Sequence, residues 1–528
     1  MSVLQNIRVY WLAFIAYWGI VLFGYDTGIA GGVVSQKYFE TRFHMLNPDG
    51  TTNTKKANDV SSNVVSVLQA GAFFGALSSA PLSSRIGRRL TLVAYSLVFT
   101  VGAILTTVAG GGSHGLGLIY AGRVISGFGI GGISAVAPAY VSECSPKDVR
   151  GRITGLFQIM VALGVMISYF MNYGISLNPS LANSPRVWRI PFGFQLVPAG
   201  IMSLGLLTVR ESPRWLAAVG RSPDALANLA YLRRLPPDDP AVRRELSEIE
   251  AAIAEERAAR RGLGWKEAFL GRGNWPRFVI AIVIFILQQW SGQNSVNYYA
   301  PQIFKSIGYT GQTPSLLASG IYGVVKLVST ALFVFFLVES LGRKLSLLVS
   351  ALGMGTFFFI IGAILKTHPP PPAPPAGGSP SHPPRASQAM AGMIYIYVCF
   401  YSMGWGPLPW VYVSDIFPTR TRHYGLATAS ATQWLFNFVL SKVTPTMVTN
   451  LGYKLFLMFA TINIAGMGTF ALLIPETKGR SLEEMDIIFG AVSAEQRRED
   501  VERVEREMAH AVQGVTSHSS EDEAAMKV

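Results

Sequence analysis

Asp26 in GYDTG and Arg123 in AGRVISG each stand inside an apolar run of about 20 residues or more, where an isolated charge costs a few kcal/mol. Asp26 lies about 7 residues before the end of its run and Arg123 about 6 residues after the start of its own. At about 1.5 Å per residue both sit about 10 Å below the same membrane surface, so they can pair. A carboxylate beside a cation keeps its charge, and one parted from it takes up a proton, which is the chemistry of a coupling device. The plainer alternative is a static ion pair that fixes helix orientation. A second group is the amide cluster of QQWSGQNSVNYYAPQIF, in which Gln288 falls near the bilayer midplane. Gln288, Gln289, Asn294 and Asn297 cannot all face lipid, and amides that both donate and accept suit a polyhydroxylated ligand as well as an interhelical bond. The third is Lys326 in GIYGVVKLVST, in mid-run and too deep to snorkel easily. A cation there favours a carboxylate ligand; otherwise it bonds backbone carbonyls or is held neutral by loss of solvation.

The elements that must hold these groups are apolar. Of 528 residues, 50% are hydrophobic and 14% charged, against about a quarter charged in soluble proteins, which excludes a disordered chain and argues against a soluble one. Runs long enough to cross a bilayer are expected at 9–33, 63–82, 90–109, 117–141, 153–175, 190–209, 277–299, 315–338, 344–366, 391–416, 424–448 and 453–474. The first is too long, and too plainly followed by others, to be a cleaved signal peptide. The formal charge of +13 does not point to nucleic acid, because the arginines gather in short connections between runs. Arg85, Arg88 and Arg89 crowd one such turn, Lys147, Arg150 and Arg152 another, and Arg343 and Lys344 a third, which puts both termini in the cytoplasm. Cys144 and Cys399 give neither a disulfide framework nor a metal cluster.

The organisation expected is a six-span unit at 1–209, a polar linker with short helices at 210–276, a second six-span unit at 277–474 and a cytoplasmic tail at 475–528. HPPPPAPPAGGSPSHPP at 368–384 reads as a mobile proline-rich insertion outside the membrane, and the tail beyond about 490 as a frayed helix running into disorder. The chain also repeats itself at about half its length. SSRIGRR (83–89) is echoed by ESLGRK (339–344), Glu143 with Arg150 by Asp415 with Arg420, and RESPRWL (210–216) by PETKGRSLEEMD (475–486). A duplicated transporter carries such a mark.

These ordered motifs resemble the sugar porter family of the major facilitator superfamily, over about residues 9 to 490. The resemblance implies an all-α membrane protein of twelve transmembrane helices in two six-helix bundles that rock about a central site. It implies that Arg85, Arg88, Arg89, Glu143, Arg150, Glu211 and Arg214, with Glu339, Arg343, Asp415, Arg420 and Glu476, form cytoplasmic salt bridges that hold the outward-facing state closed inside. Ser84 departs from the acidic residue usual there, which weakens that latch in the first half, while Glu339 keeps the acid in the second; the bland alternative is that these arginines only set topology. Proton-coupled members carry an acid at the place of Asp26. The pattern QQxxGxNxxxYY implies that Gln288, Gln289 and Asn294 touch substrate and that Tyr298 and Tyr299 help close an outer gate. Gln158, Trp410, Gln433 and Asn437 match family binding positions, although Gln158 looks too close to the cytoplasmic end. Gly406, Pro407 and Pro409 break the tenth run, a gating device. Many neutral-hexose porters have an uncharged polar residue at the place of Lys326, and GIYGVVK is similar to the quinate permease branch of the fungal sugar porters, which with uronic acid transporters handles polyhydroxylated acids.

The expectation is thus a proton-coupled plasma-membrane symporter for a sugar acid of the galacturonate or quinate class, acting as a monomer in the lipid bilayer. Neutral monosaccharide transport, proton-coupled or facilitative, is the alternative, and a nutrient sensor on the same fold is a third reading that the short tail disfavours. No cofactor or metal is called for, and nothing resembles a nucleophile with its base or a phosphate-binding loop.

Overall fold

An apolar segment in a bilayer must bond all its backbone groups within itself, so runs of this length become helices. The computed structural model describes residues 6–49, 51–260, 264–271, 273–309, 311–337, 342–370, 383–418, 420–478 and 482–490. Glu339, most of the proline-rich stretch and the tail beyond 490 lie outside these residues, as does the side chain of Arg150. Among the described residues every regular element is helical, apart from one isolated bridge between Leu46 and Thr52.

Spans 1 to 5 are Ile7–Val34, Thr54–Ile86, Arg88–Val108, Gly112–Cys144 and Lys147–Leu177. Span 6 comes in two pieces, Arg186–Phe194 and Leu196–Gly205, divided at Gln195, and span 7 in two, Trp275–Gln289 and Gln293–Ser306. Span 8 is Gln312–Leu332 with a π-helical end at Phe333–Leu337, and span 9 is Arg343–Thr367. Span 10 is Arg385–Met403 and Leu408–Ile416, span 11 Arg422–Leu451, and span 12 runs from Tyr453 to Leu473 through a π-helical stretch, Ile462–Gly468. Among the described residues nine of these are long and apolar enough to cross a membrane on their own. Span 6 falls short because its two pieces are 9 and 10 residues long, and spans 10 and 11 because polar residues stud Arg385–Met403 and Arg422–Leu451.

Several boundaries differ from the apolar runs, among them the starts of spans 2, 5 and 10 and the ends of spans 6 and 7. Span 2 starts at Thr54 rather than 63, since polar TKKANDVSS extends the helix, and Asn53 caps it by accepting from Lys56 N at 3.1 Å. Span 6 ends at Gly205 rather than 209.

The face on which span 1 begins and span 12 ends is called the near face, and the other the far face. Linker helices Pro213–Ala218, Ser222–Arg233, Pro240–Arg260 and Trp265–Leu270 lie on the near side, where Leu229, Ala230 and Val242 form a small core. Spans 1–6 and 7–12 meet in pairs: span 1 packs on span 7, span 2 on span 11, and span 5 on span 8. Among the described residues every hydrogen bond between the halves lies between mid-depth and the far face. Asn58 donates to Thr449 at 2.9 Å, Gln302 to Gly31 O at 3.3 Å, Lys305 to Ser35 O at 3.5 Å, and Lys442 to Asn63. The seam is tightest at Gly31, where a Cβ would fall 1.8 Å from the Tyr298 carbonyl oxygen, so only glycine fits. The far side is sealed in this conformation.

Candidate functional site

Asp26 and Arg123 meet inside the first half, both about 1% exposed, with Arg123 Nη1 donating to Asp26 Oδ1. Arg123 also donates to the Val64 carbonyl at 3.0 Å and faces the Phe192 ring, and Gln195 donates to the same Asp26 oxygen at 2.9 Å. Asp26 Oδ2 and Arg123 Nη2 are buried with no bonding partner. A carboxylate with one oxygen saturated and the other unused retains an atom that can accept a proton. Gln195 was not foreseen; its only signal was an amide in the otherwise apolar stretch FGFQLVPAG.

The helix breaks shape the centre of the second half. Span 7 breaks at Trp290–Gly292, with Gly292 at φ 92°, and span 10 between Met403 and Leu408, where Gly404 ends one helix and Pro407 and Pro409 open the next. The two breaks face each other: Gln288 Nε2 donates to the carbonyls of Trp405 at 2.8 Å and Gly406 at 3.1 Å. One amide thus satisfies backbone groups that the span 10 break leaves open. Gln289 donates to Gln288 at 3.3 Å, Asn294 to Gln289 and to Asn437 at 3.5 Å, and Asn437 to the Tyr298 hydroxyl at 3.1 Å. The Tyr299 hydroxyl donates to Ser441 O at 2.6 Å, so both tyrosines are buried on the far side of the amide chain. Trp410 packs edge-on against Phe285, with ring centroids 4.6 Å apart, on the near side.

Gln158 and Gln433 are half-buried, in spans 5 and 11. Because span 5 starts at Lys147 rather than 153, Gln158 is about 16 Å from the near end, at mid-depth and not close to that surface as its sequence position suggested.

Lys326 is buried, with Nζ donating to Asn297 Oδ1 at 3.0 Å. That one oxygen also accepts from Tyr322 at 2.9 Å and Gln293 at 3.1 Å, and Tyr169 of the first half donates to the Asn297 carbonyl at 2.6 Å. Among the described residues no carboxylate lies within ion-pair distance of Lys326. The sequence singled out Lys326 by its charge, whereas Tyr322, Gln293 and Tyr169 carried no signal that set them apart.

On the near face the repeated motifs build one device twice. Gly87 (φ 93°) and Gly342 (φ 80°) start spans 3 and 9. Glu211 accepts from the N–H groups of Arg88 (3.0 Å) and Arg89 (3.0 Å), and Glu476 from those of Arg343 (3.0 Å) and Lys344 (2.9 Å). Each carboxylate therefore sits at the positive end of a helix dipole. Burial pushes the Glu211 carboxyl up despite its backbone donors. At Glu476 the same push is outweighed by four backbone N–H groups, and its carboxyl is held below the usual range. Arg88 pairs with Glu143 at 2.9 Å, and Arg343 with Asp415 at 3.6 Å. Arg89 turns instead to Leu206 O at 2.8 Å, and Arg214 and Arg420 reach linker acids, Glu256 at 3.4 Å and Glu267 at 2.8 Å. Arg85 is exposed. Each of these near-face pairs stays within one half, stays within the linker or ties a half to the linker, and in this conformation it is the far seam that is closed. Among the described residues no three His, Cys, Asp or Glu side chains gather to hold a metal ion.

Comparison with known proteins agrees with this architecture. Residues 12–489 match the family described as "Sugar (and other) transporter". The chain is 37% identical over 496 residues to the quinate permease of Emericella nidulans, covering 92% of this chain and 89% of that one. It is 37% identical over 488 residues to a probable quinate permease of Aspergillus niger, covering 92% and 88%. Among solved structures, the proton:xylose symporter XylE bound to 6-bromo-6-deoxy-D-glucose superposes with a TM-score of 0.73 at 27% identity, covering 92% of this chain and 100% of that one. XylE from E. coli in its inward open conformation gives 0.72 at 26%, covering 91% and 99%. With twelve helices in two bundles of six, the chain belongs to the sugar transporter family of the major facilitator fold and is a multi-pass membrane protein.

Proposed function

We propose that this protein is a proton-coupled symporter that imports a polyhydroxylated monocarboxylate, of the quinate or galacturonate class, by alternating access. The observation that carries the reading is Lys326, a buried amine bonded to a neutral amide oxygen with no carboxylate in ion-pair range among the described residues. A ligand carboxylate supplies what the amine lacks, through a charge-assisted bond worth about 1.5–3 kcal/mol, and the Gln289, Asn294 and Asn437 amides meet its hydroxyls. The names of the relatives, quinate permeases, point the same way. Gln158, Gln433 and Trp410 complete the lining, and Tyr298 and Tyr299 close it on the far side. Asp26 takes up the proton at its unused oxygen when Arg123 withdraws, and releases it when the pair re-forms.

The near face is the cytoplasmic one, since the crowded arginines lie there, and the membrane is the plasma membrane. The site is built within one chain, so the monomer is the working unit. No covalent bond of the cargo changes.

A second reading, transport of neutral monosaccharides, is favoured by the three-donor bond set on Asn297, which gives Lys326 a structural partner, and by the likeness to a proton:xylose symporter. Competition of quinate and galacturonate against glucose and xylose separates the two. The parent prefers the acids, and Lys326→Asn loses most of that preference while still folding. A parent that prefers neutral sugars, or an acid preference that survives the substitution, overturns the first reading.

A further inference from the structure

Lys326 is the deepest of three lysines that the second half aims at the seam. Lys305 stands one residue before the far end of span 7, Lys442 about 14 Å below the far end of span 11, and Lys326 about 21 Å below that of span 8. Lys305 and Lys442 share a peculiarity. Each donates across the seam to neutral oxygens of the first half: Lys305 to the Ser35 carbonyl at 3.5 Å, and Lys442 to Asn63 Oδ1 and to Ser62 Oγ at 3.3 Å. Among the described residues neither forms an ion pair; Glu40, on the short helix Lys37–Arg42 near Lys305, stays beyond 4.0 Å and bonds Thr52 at 3.3 Å. Two half-buried cations are thus held by acceptors that bring no charge, and those acceptors sit on the half that must move away when the far side opens.

We propose that Lys305 and Lys442 form the access path for an anionic substrate, latching the closed far seam on neutral oxygens and, on opening, transferring that bond to the substrate carboxylate on its way to Lys326. The inference rests on the reading of Lys326 as a carboxylate receptor. Each amine has three N–H donors, so what excludes the closed seam is space: a substrate held at either lysine stands between the two halves, and the far seam re-forms only after the carboxylate has moved down to Lys326. Separation of the halves also wets the seam and leaves two positive charges, that of Lys305 partly offset by Glu40, in a cleft with low-dielectric walls, which concentrates anions and speeds their capture.

The test uses the full chain in proteoliposomes, with quinate as the probe and xylose as the neutral competitor, over ionic strengths from about 20 to about 300 mM, a range that shortens the screening length several-fold. For the parent, kcat/KM for quinate falls by about 10-fold over that range, while inhibition by xylose stays flat. In the doubly substituted Lys305→Gln/Lys442→Gln protein, whose amides still donate across the seam, quinate KM rises about 3- to 10-fold and the salt dependence flattens. The Lys305→Arg/Lys442→Arg protein retains both parental properties. Salt-indifferent quinate uptake by the parent, or an equal loss for quinate and xylose in the glutamine variant, reduces the lysines to a structural latch and overturns the proposal. A parent that prefers quinate while the glutamine variant handles it unchanged removes this inference and leaves Lys326 standing. A parent that prefers xylose removes both.

Discussion

Replacing Asn297 with aspartate puts an internal carboxylate where Lys326 already has its acceptor, and so asks whether that amine reads the charge of the cargo. The change is nearly isosteric, and the two other donors to the same oxygen, Tyr322 and Gln293, bond a carboxylate as readily as an amide. At the 3.0 Å between Lys326 Nζ and Asn297 Oδ1, a unit negative charge gains about 5.5 kcal/mol of attraction at an effective dielectric of about 20. That exceeds the about 1.5–3 kcal/mol that a ligand carboxylate draws from the same amine, so the internal group wins. An amine already paired with that group also offers an incoming carboxylate no net positive charge. Asn297→Asp should therefore cost an acid substrate roughly 10- to 150-fold in affinity, the span that corresponds to about 1.5–3 kcal/mol. A neutral sugar, which never used the charge, changes far less. The assay is competition between quinate and xylose by parent and variant in proteoliposomes, with thermal unfolding as the check that the variant is folded. An acid preference that stays within about threefold of the parent's would refute the argument, because it would mean that the carboxylate is read elsewhere.

Asp26→Asn should abolish accumulation against a gradient yet leave exchange between equilibrated compartments, measured with labelled substrate; loss of exchange as well would mark Asp26 as structural. Gln288→Ala should lower thermal stability by about 1–3 kcal/mol, because the carbonyls of Trp405 and Gly406 lose their donor, whereas Asn294→Ala should act mainly on substrate affinity by a similar amount. The two repeats should answer pH with opposite signs. The Glu476 carboxyl lies below its ordinary value of 4.5, so its contribution is complete above that value and is lost as pH falls through the lowered one; the thermal deficit of Glu476→Gln shrinks in acid. The Glu211 carboxyl is raised, so its contribution is complete below 4.5 and declines as pH rises, and the parent loses ground against Glu211→Gln toward neutral pH in the same melting series.

Twelve spans were legible because a bilayer demands apolar length, and length is written residue by residue. The pairing of Asp26 with Arg123 was legible for the same reason, since depth follows from counting along two helices whose ends the polar turns mark. Less legible was whatever depends on how helices rotate against one another. Gln195 reaches Asp26 from the junction between the two pieces of span 6, and Tyr322 shares an acceptor with Lys326 where the second piece of span 7 brings Asn297 beside span 8. Gln288 shows the limit of residue type as evidence: the same amide that suits a hydroxylated ligand is bonded to the open backbone of span 10. The near-face arginines were recognisable as a class but not by partner, because Glu256 and Glu267 belong to a linker whose docking no periodicity reveals.

The linker's attachments bear on the order in which the protein is made. Glu211 caps span 3, Arg233 bonds the last carbonyl of span 4 at 3.0 Å and Glu245 at 2.6 Å, and Arg8 bonds the Tyr231 carbonyl at 2.6 Å. All of these join residues up to about 245, so they can form before span 7 leaves the ribosome. The first half can thus be complete on its near side as a finished folding unit, with nothing owed by the second. The contacts of Glu267 with Arg420 and of Phe269 with Tyr424, by contrast, wait for span 11. A break in the chain between these two sets of contacts, after Arg260, should accordingly leave an amino-terminal fragment that inserts and folds during translation, onto which a separately synthesised carboxy-terminal fragment can assemble.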